Sequence, residues 1–196
     1  MNYPYKQIAG KSWKTWTKNS TGWGKKKYPE SCAESTETKL LIRLPEYSEA
    51  PFLVTCDQNN YGGGWTVLMR RTDGSEDFYR DWKDYKRGFG QLDNEFFLGP
   101  KKSNNFTPES IGSNDGDAGY SLGAHVGMQF STKDRKNDID TNKSCAVSYK
   151  GAWCALTGVY GDSSYGQGVF WHSWRGYNYS YKRAVMMIRP TAYSFK

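Results

Sequence analysis

The 196-residue sequence lacks the features of several large protein classes. No segment approaches the roughly 18 consecutive apolar residues of a membrane-spanning helix, so we expect no membrane insertion. Residues 1–6 lack the apolar stretch of a secretory signal, so a secreted form would be a mature form or one with an incomplete N-terminus. A serine nucleophile elbow and a phosphate-binding loop are also absent, and the glycines at 62–64 are not followed by a Lys-Ser/Thr pair. We therefore expect no enzyme.

Acidic residues are absent from residues 1–27, the N-terminal tail, which carries seven lysines and three of the eight tryptophans. The whole chain has 27 basic and 20 acidic residues, so residues 28–196 have no formal net charge. The tail could bind a polyanion through charge and stacking. Alternatively, it is a solvated tail whose tryptophans dock on the domain. The neutral remainder argues against a general nucleic-acid surface.

Long helical periodicities are few, and the chain instead alternates short apolar segments with turn residues. This pattern predicts strands over residues 39–44, 51–56 and 65–71. Residues 46–49 are expected to connect the first two strands as a hairpin. The turn pair at 73–74, Asp-Gly, is expected to end the third strand.

One short helix is predicted from three aromatic residues at helical spacing, Trp82, Tyr85 and Phe89. Either Gly88 or Gly90 is positioned to end it. Residues 100–145 are polar and rich in glycine, asparagine, aspartate and serine. This composition predicts loops held by something other than a core.

The four cysteines, at positions 32, 56, 145 and 154, include no CxxC pair, and two histidines are too few to favour a zinc site. An even number of cysteines in a loop-rich chain favours two disulfides and an oxidising compartment. Three pairings are possible, of which the sequential one closes the shortest loops. Four N-x-S/T sequons begin at Asn19, Asn105, Asn142 and Asn178. They are consistent with a secreted glycoprotein, although such patterns also arise by chance.

Two blocks of motifs are recognisable in this chain. The first comprises CD (56–57), GGGWTV (62–67), RRTDGS (70–75), DFYR (77–80), WKDY (82–85), GFG (88–90) and EFFLG (95–99). The second comprises FSTKDR (130–135), CA (145–146), GAW (151–153), Trp171, Trp174 and MIRP (187–190). Together they resemble the fibrinogen-like domain, the globular C-terminal module of fibrinogens, ficolins, tachylectins and angiopoietins. The resemblance covers residues 28–196 and leaves the tail outside.

The resemblance implies an α+β fold, with an antiparallel sheet, short helices and a loop-rich C-terminal subdomain. It places the disulfide-linked N-terminal hairpin region at 28–57, the central sheet region at 58–118 and the calcium and ligand loops at 119–196. It also implies the sequential disulfides Cys32–Cys56 and Cys145–Cys154. Five aromatic residues are expected to pack as core: Trp65, Phe78, Trp82, Phe96 and Phe97.

The central region is shorter than this resemblance implies. After Gly99 the family has a longer segment that supplies central strands, whereas here residues 100–104 lead quickly to the AGYSL stretch at 118–122. Several dozen residues of the usual pattern are missing. Either the sheet is reduced or the chain is an unusual splice form or gene model, and uncovered strand edges would weaken the fold.

The calcium site that the resemblance implies is altered. Family members place two aspartates at alternating positions after Phe-Ser-Thr, and Asp138 matches the second of them. Lys136 stands at the first position, where its ammonium would repel calcium or pair with Asp138. Asp134 or Asp140 could substitute as metal ligands. Whether this loop binds calcium is therefore left open by the sequence.

The ligand pocket that the resemblance implies is partly preserved. Tyr149, Tyr165 and Tyr177 fall at aromatic positions that match the ligand pocket of acetyl-recognising relatives, and Gly166 follows Tyr165 where the family has a small residue. Ala155 stands where those relatives have a histidine after the second cysteine, and it cannot donate the same hydrogen bond. The tyrosines could instead be packed loop aromatics, and His172 is expected to be a structural neighbour.

The resemblance therefore favours a non-catalytic, secreted recognition module. The first hypothesis is lectin-like binding of acetylated glycans in innate immunity. The second is a signalling or adhesion ligand for a cell-surface protein receptor, with a degenerate sugar pocket. The third is a truncated isoform without a stable function.

Overall fold

The computed structural model describes residues 27–45, 47–99, 127–138, 142–152 and 158–190. All but one residue of the N-terminal tail lies outside these ranges, and so do Asp140, Cys154 and Ala155. The described residues form an antiparallel sheet with short helices, which confirms the α+β class. None of the helices in these ranges is long and apolar enough to cross a membrane.

The sheet has six strands: β1 (Lys39–Ile42), β2 (Phe52–Asp57), β3 (Trp65–Arg71), β4 (Phe89–Gly90), β5 (Phe96–Phe97) and β6 (Ala184–Ile188). Their order is β1-β2-β3-β5-β4, and β6 also pairs with β3. Every pairing is antiparallel. Strand β3 therefore joins the N-terminal hairpin, the short central strands and the C-terminal strand.

The helices are short, with three to six residues each. A 3-10 helix covers Cys32–Glu34, and the α-helices are α1 (Trp82–Arg87), α2 (Cys145–Ser148) and α3 (His172–Arg175). Gly88 follows α1 with a φ of 81°, and its N–H donates to the Asp84 carbonyl. The prediction that a glycine ends this helix is confirmed, because this backbone conformation favours glycine.

The predicted N-terminal hairpin is confirmed. Strands β1 and β2 pair with Ile42 opposite Phe52. The chain turns where the N–H groups of Tyr47 and Ser48 donate to the Leu44 carbonyl over 2.9 and 2.8 Å. Strand β1 ends two residues earlier than predicted, because the Arg43 N–H donates instead to the Pro29 carbonyl over 2.9 Å.

The turn after β3 is organised by a single buried carboxylate, that of Glu95. Its Oε1 accepts the backbone N–H groups of Thr72, Asp73 and Gly74 over 2.7, 3.1 and 3.0 Å, and its Oε2 accepts that of Glu76 over 3.0 Å. Gly74 has a φ of 78°. The Asp-Gly turn thus ends β3 as predicted, with a distant side chain supplying its acceptors.

The larger of two core clusters packs α1 against the sheet. Its buried residues are Met69, Phe78, Tyr85, Phe97, Phe130 and Ala152. The Tyr85 ring lies 4.9–5.1 Å from the rings of Phe89, Phe97 and Phe130. Phe130 therefore contributes to the core, although it lies in residues 100–145, whose composition predicts loops without a core.

The core prediction is wrong for Trp65. This residue is only partly buried and belongs to neither core cluster. The guanidinium of Arg189 lies 4.2 Å from the centre of its ring and also donates to the carbonyls of Tyr61 and Gly63. A partly buried cation thus covers the indole in place of a second apolar layer. Phe78, Phe96 and Phe97 are buried, and Trp82 packs against the main core.

The disulfide Cys32–Cys56 links the 3-10 helix to β2, which confirms the first predicted pairing. Both cysteines belong to the second core cluster, with Ile42, Phe52 and Val54. Cys145 is also disulfide-bonded. Its predicted partner, Cys154, lies outside the described residues.

Candidate functional site

The loop predicted to hold calcium is fixed by hydrogen bonds to its own residues. Thr132 and Arg135 exchange backbone hydrogen bonds of 2.9 and 3.1 Å. The Asn137 side chain donates to the Phe130 carbonyl over 2.8 Å, and its N–H donates to the Ser131 hydroxyl over 2.9 Å. Because Phe130 is buried in the main core, the loop begins from a rigid point.

Asp134, one of the candidate metal ligands, contacts the start of α1. Its Oδ1 accepts the Trp82 N–H over 2.8 Å and the Thr132 hydroxyl over 2.7 Å. Burial raises the pKa of Asp134, but these hydrogen bonds outweigh that effect and leave the pKa below its ordinary value. The carboxylate therefore satisfies a helix-terminal N–H group, which is a structural role.

Asp138, the second calcium position, is paired with Lys136. The side chain of Asp138 is 10% exposed, and its Oδ1 lies 3.2 Å from the Lys136 ammonium. The same ammonium donates to the Asp138 carbonyl over 3.4 Å. Asp138 Oδ2 accepts the N–H of Cys145, the first residue of α2, over 3.4 Å. The lysine thus places its own positive charge beside the carboxylate that a cation would need.

Lys136 opposes calcium among the described residues of this loop, because its ammonium lies beside Asp138. Among them, no group of three or more histidine, cysteine, aspartate or glutamate side chains could hold a metal ion. A hard cation needs six to eight oxygen ligands, and an ammonium beside Asp138 opposes its entry. Asp140, the remaining candidate ligand, lies outside the described residues.

The four residues predicted to bind ligand are brought together at the C-terminal loops. The rings of Tyr165 and Tyr177 lie 4.9 Å apart. The N–H of Gly166 donates to the Tyr177 carbonyl over 2.8 Å, so the two loops are joined at this point. Tyr149, the residue directly after α2, lies against Gly166, where an added Cβ would overlap its ring.

Gly166 is required for this arrangement in two ways. Its φ is 69°, a conformation that favours glycine, and its lack of a side chain admits the Tyr149 ring. The Gln167 amide donates to the Ser148 carbonyl at the end of α2 over 2.7 Å. The loop at 164–167 is therefore held against α2 beside the tyrosines.

Two further aromatic rings complete the cluster. Phe170 is buried and lies 6.0 Å from Tyr149 and 5.3 Å from Tyr177. His172 is exposed and its ring lies 4.4 Å from that of Tyr177. We call Tyr149, Tyr165, Phe170, His172 and Tyr177 the aromatic cluster. The motif positions did not assign Phe170 to the site, because its contact with Tyr177 depends on the turn between them.

The aromatic cluster combines ring faces with polar groups at the surface. Tyr165 is 60% exposed, whereas Phe170, which contacts Tyr149 and Tyr177, is 4% exposed. Tyrosine hydroxyls and an imidazole donate and accept hydrogen bonds, and ring faces accept methyl groups and the apolar faces of sugars. The cluster could therefore hold a small ligand that has both a methyl group and hydrogen-bonding groups.

Comparisons with known proteins agree with this fold. The family model "Fibrinogen beta and gamma chains, C-terminal globular domain" matches residues 25–113 and 104–191. The fibrinogen-like globe domain of human ANGPTL2 superposes with a TM-score of 0.70 at 32% identity, over 83% of this chain and 99% of that one. Lamprey fibrin D-dimer with the peptide Gly-His-Arg-Pro-amide gives a TM-score of 0.68 at 26% identity, over 86% of this chain and 76% of that one.

A curated relative has the same domain within a much longer chain. Mouse tenascin-R is 33% identical over 231 residues, which covers 94% of this chain and 17% of tenascin-R. The chain thus spans less than a fifth of that relative. The alignment is longer than the chain's 196 residues, so the relative has additional residues within the matched region.

Proposed function

Because the chain belongs to the family of fibrinogen C-terminal globular domains, we propose that it is an extracellular recognition module that binds acetylated glycans without catalysing a reaction. The observation that carries this proposal is the aromatic cluster, in which the exposed rings of Tyr165 and His172 contact Tyr177, whose carbonyl accepts the Gly166 N–H. The Cys32–Cys56 disulfide supports an oxidising compartment.

The cluster suits an N-acetyl group on physical grounds. The acetyl methyl can pack on the Tyr165 and Tyr177 rings, while the amide and sugar hydroxyls bond to tyrosine hydroxyls and His172. His172 lies 4.4 Å from Tyr177, and both residues belong to the described C-terminal loops. We infer that His172 supplies a polar contact that Ala155 cannot make.

Replacing Tyr165 with alanine is expected to weaken N-acetylglucosamine binding roughly three- to tenfold, the effect of losing one aromatic contact. Tyr165 is 60% exposed, so the substitution should leave the fold intact. Calorimetric titration measures the change. Tyr61→Ala is the matched control, since Tyr61 is 77% exposed and belongs to no part of the cluster. Equal affinities for the parent and Tyr165→Ala would contradict the proposed site.

Binding of a peptide or protein receptor is a second candidate function. The lamprey relative was solved with a four-residue peptide ligand, so this fold accommodates a peptide in that protein. A parent chain that gives no heat with N-acetylglucosamine, with or without calcium, would favour this alternative.

Recognition by this chain is proposed to be independent of calcium, because Lys136 already neutralises Asp138. In Lys136→Asp, two carboxylates should repel each other without metal and bind calcium when it is added. Calcium at 100 times its Kd adds about 2.7 kcal/mol of stability. We therefore expect calcium to raise the melting temperature of this variant by roughly 5–10 °C.

Thermal unfolding in calcium and in chelator measures this effect. The parent should unfold at the same temperature in both solutions. Lys136→Met is the control, because it removes the ammonium without adding a ligand and should not respond to calcium. A parent that gains as much from calcium as Lys136→Asp would contradict the idea that Lys136 replaces the metal.

A further inference from the structure

A second exposed surface lies beside the aromatic cluster, where α3 ends. Trp174, Arg175, Asn178 and Tyr179 line an open depression of about 590 Å³. Trp174 is 50% exposed and Tyr179 is 42% exposed. We call these four residues the Arg175 surface. It shares no side chain with the aromatic cluster.

Arg175 is held between two rings in this depression. Its guanidinium carbon lies 5.1 Å from the Trp174 ring centre and 4.8 Å from that of Tyr179. Tyr181 stacks on Trp174 at 5.5 Å and meets Tyr179 edge to face at 5.2 Å. Stacking fixes the plane of a guanidinium and leaves its N–H edge available to a carboxylate or sulfate.

The sequence segment around Arg175 is basic, which favours an anion. Residues 163–188 contain three basic residues, Arg175, Lys182 and Arg183, and no acidic residue, whereas Arg189 lies over Trp65. Within the described ranges, no ion pair joins Arg175 to an acidic side chain. A ligand with an anionic group would therefore complement Arg175.

The two surfaces are close enough for one oligosaccharide to contact both. His172 of the aromatic cluster and Trp174 of the Arg175 surface belong to the same short helix, α3. Tyr177 and Tyr179 are separated by one residue, so their Cα atoms are within about 7 Å of each other. The Ser180 hydroxyl accepts the N–H groups of Gly161 and Val169, each over 3.2 Å, which fixes this segment against the neighbouring loop.

We propose that the Arg175 surface is a subsite for an acidic sugar unit next to the acetylated unit. The carboxylate or sulfate of that unit bonds to the Arg175 guanidinium, and the apolar face of its ring packs on Trp174 or Tyr179. The proposal rests on the proposed function for the neighbouring unit. It narrows the ligand class to glycans that combine N-acetylated and acidic sugars.

Two tetrasaccharides test the subsite: one alternates N-acetylglucosamine with glucuronic acid, and the other contains N-acetylglucosamine alone. The full chain is produced in a host that adds no N-glycan, because Asn178 begins an N-x-S sequon. We expect the parent to bind the acidic tetrasaccharide about tenfold more tightly, the effect of a charge-assisted hydrogen bond. Arg175→Gln should lose this preference and keep its affinity for the neutral tetrasaccharide.

Lys182→Gln is the matched control, since it removes one exposed positive charge outside the depression. Lys182→Gln should keep the preference for the acidic tetrasaccharide. Because every variant retains the N-terminal tail, any binding by the tail lysines is the same in each and cancels in the comparison. The subsite is overturned if the parent binds both tetrasaccharides equally, if Arg175→Gln keeps the preference, or if Lys182→Gln loses as much.

A further measurement distinguishes failure of the Arg175 subsite from failure of the proposed acetyl-binding function. If the neutral tetrasaccharide does not bind, the acetyl-binding function fails. The subsite then stands only if glucuronic acid alone binds the parent and Arg175→Gln weakens that binding. If glucuronic acid also fails to bind, both proposals are overturned. A sulfated N-acetylglucosamine shows whether the Arg175 surface accepts sulfate as well as carboxylate.

Discussion

Replacing Glu95 with alanine is expected to lower the free energy of unfolding by about 3–5 kcal/mol, the cost of breaking a buried ion pair. Glu95 is 1% exposed and Arg71 is 2% exposed, and Arg71 Nε lies 3.5 Å from Glu95 Oε1. The guanidinium also lies 3.9 Å over the Phe78 ring. Removing the carboxylate leaves a buried cation without its opposite charge and four backbone N–H groups without their acceptor.

Equilibrium unfolding in urea measures this loss, with Glu76→Ala as the matched control. Glu76 pairs with Arg80 over 2.5 Å, but both side chains are partly exposed, so we expect a loss of about 0–1 kcal/mol. The double variant Arg71→Met/Glu95→Leu also removes the acceptor of the four N–H groups, but it should be less destabilised than Glu95→Ala because it leaves no unpaired charge. Similar losses in Glu76→Ala and Glu95→Ala, or a double variant as unstable as the single one, would contradict the prediction.

The pH dependence of stability is a second readout of the same carboxylate. Burial raises the pKa of Glu95. The N–H groups of Thr72, Glu76 and Gly74 and the charge of Arg71 together lower it by more, so the pKa lies below its ordinary value. Because the pKa of Glu95 is lower in the folded protein than in the unfolded chain, the ionised carboxylate stabilises the fold at pH values above the unfolded-state pKa. This stability is lost as the pH falls through the folded-state pKa. Stability should therefore fall below about pH 4 and fall less steeply in the double variant.

Replacing Cys32 and Cys56 together with alanine is expected to lower the free energy of unfolding by about 3 kcal/mol. The two cysteines are 24 positions apart, so their bridge restricts the unfolded chain. Both are buried in the second core cluster, so the substitution also removes packed sulfur atoms. Urea unfolding without reductant compares the double variant with the parent.

The single variant Cys32→Ala separates the bridge from the packing. It breaks the same disulfide while Cys56 keeps its sulfur, so most of the loss should already be present. Reducing the parent is a weaker test, because Cys145 is disulfide-bonded as well. A double variant as stable as the parent would show that the bridge contributes little to the fold.

Local sequence predicted the elements whose boundaries carry their own turn residues. Strand β3 has the predicted bounds because a glycine run precedes it and an Asp-Gly turn follows it. Helix α1 ends before Gly88 for the same kind of reason. Strands β4 and β5 have only two residues each and exist because β5 pairs with both β3 and β4. No local pattern of two residues can indicate such a pairing.

In the candidate site too, the residues were predictable from the sequence but their long-range contacts were not. Motif positions predicted Tyr149, Tyr165, Gly166 and Tyr177, and the structure brings them together. The hydrogen bond from Gly166 to Tyr177 joins residues in separate loops, so sequence spacing could not show how the rings meet. The position of Arg189 over Trp65 likewise depends on β6 pairing with β3. Contacts between cations and rings from distant segments were therefore the least predictable.

The pairing of β3 with β6 also affects how the protein folds during synthesis. Val67 pairs with Met187, although most of the chain lies between them. A ribosome must therefore release the chain through β6 before one edge of β3 obtains its partner. Contacts between residues this distant slow folding, because a long loop must close first. Until then the exposed edge of β3 is open to pairing with another nascent chain, so this protein should depend on chaperones early in its life.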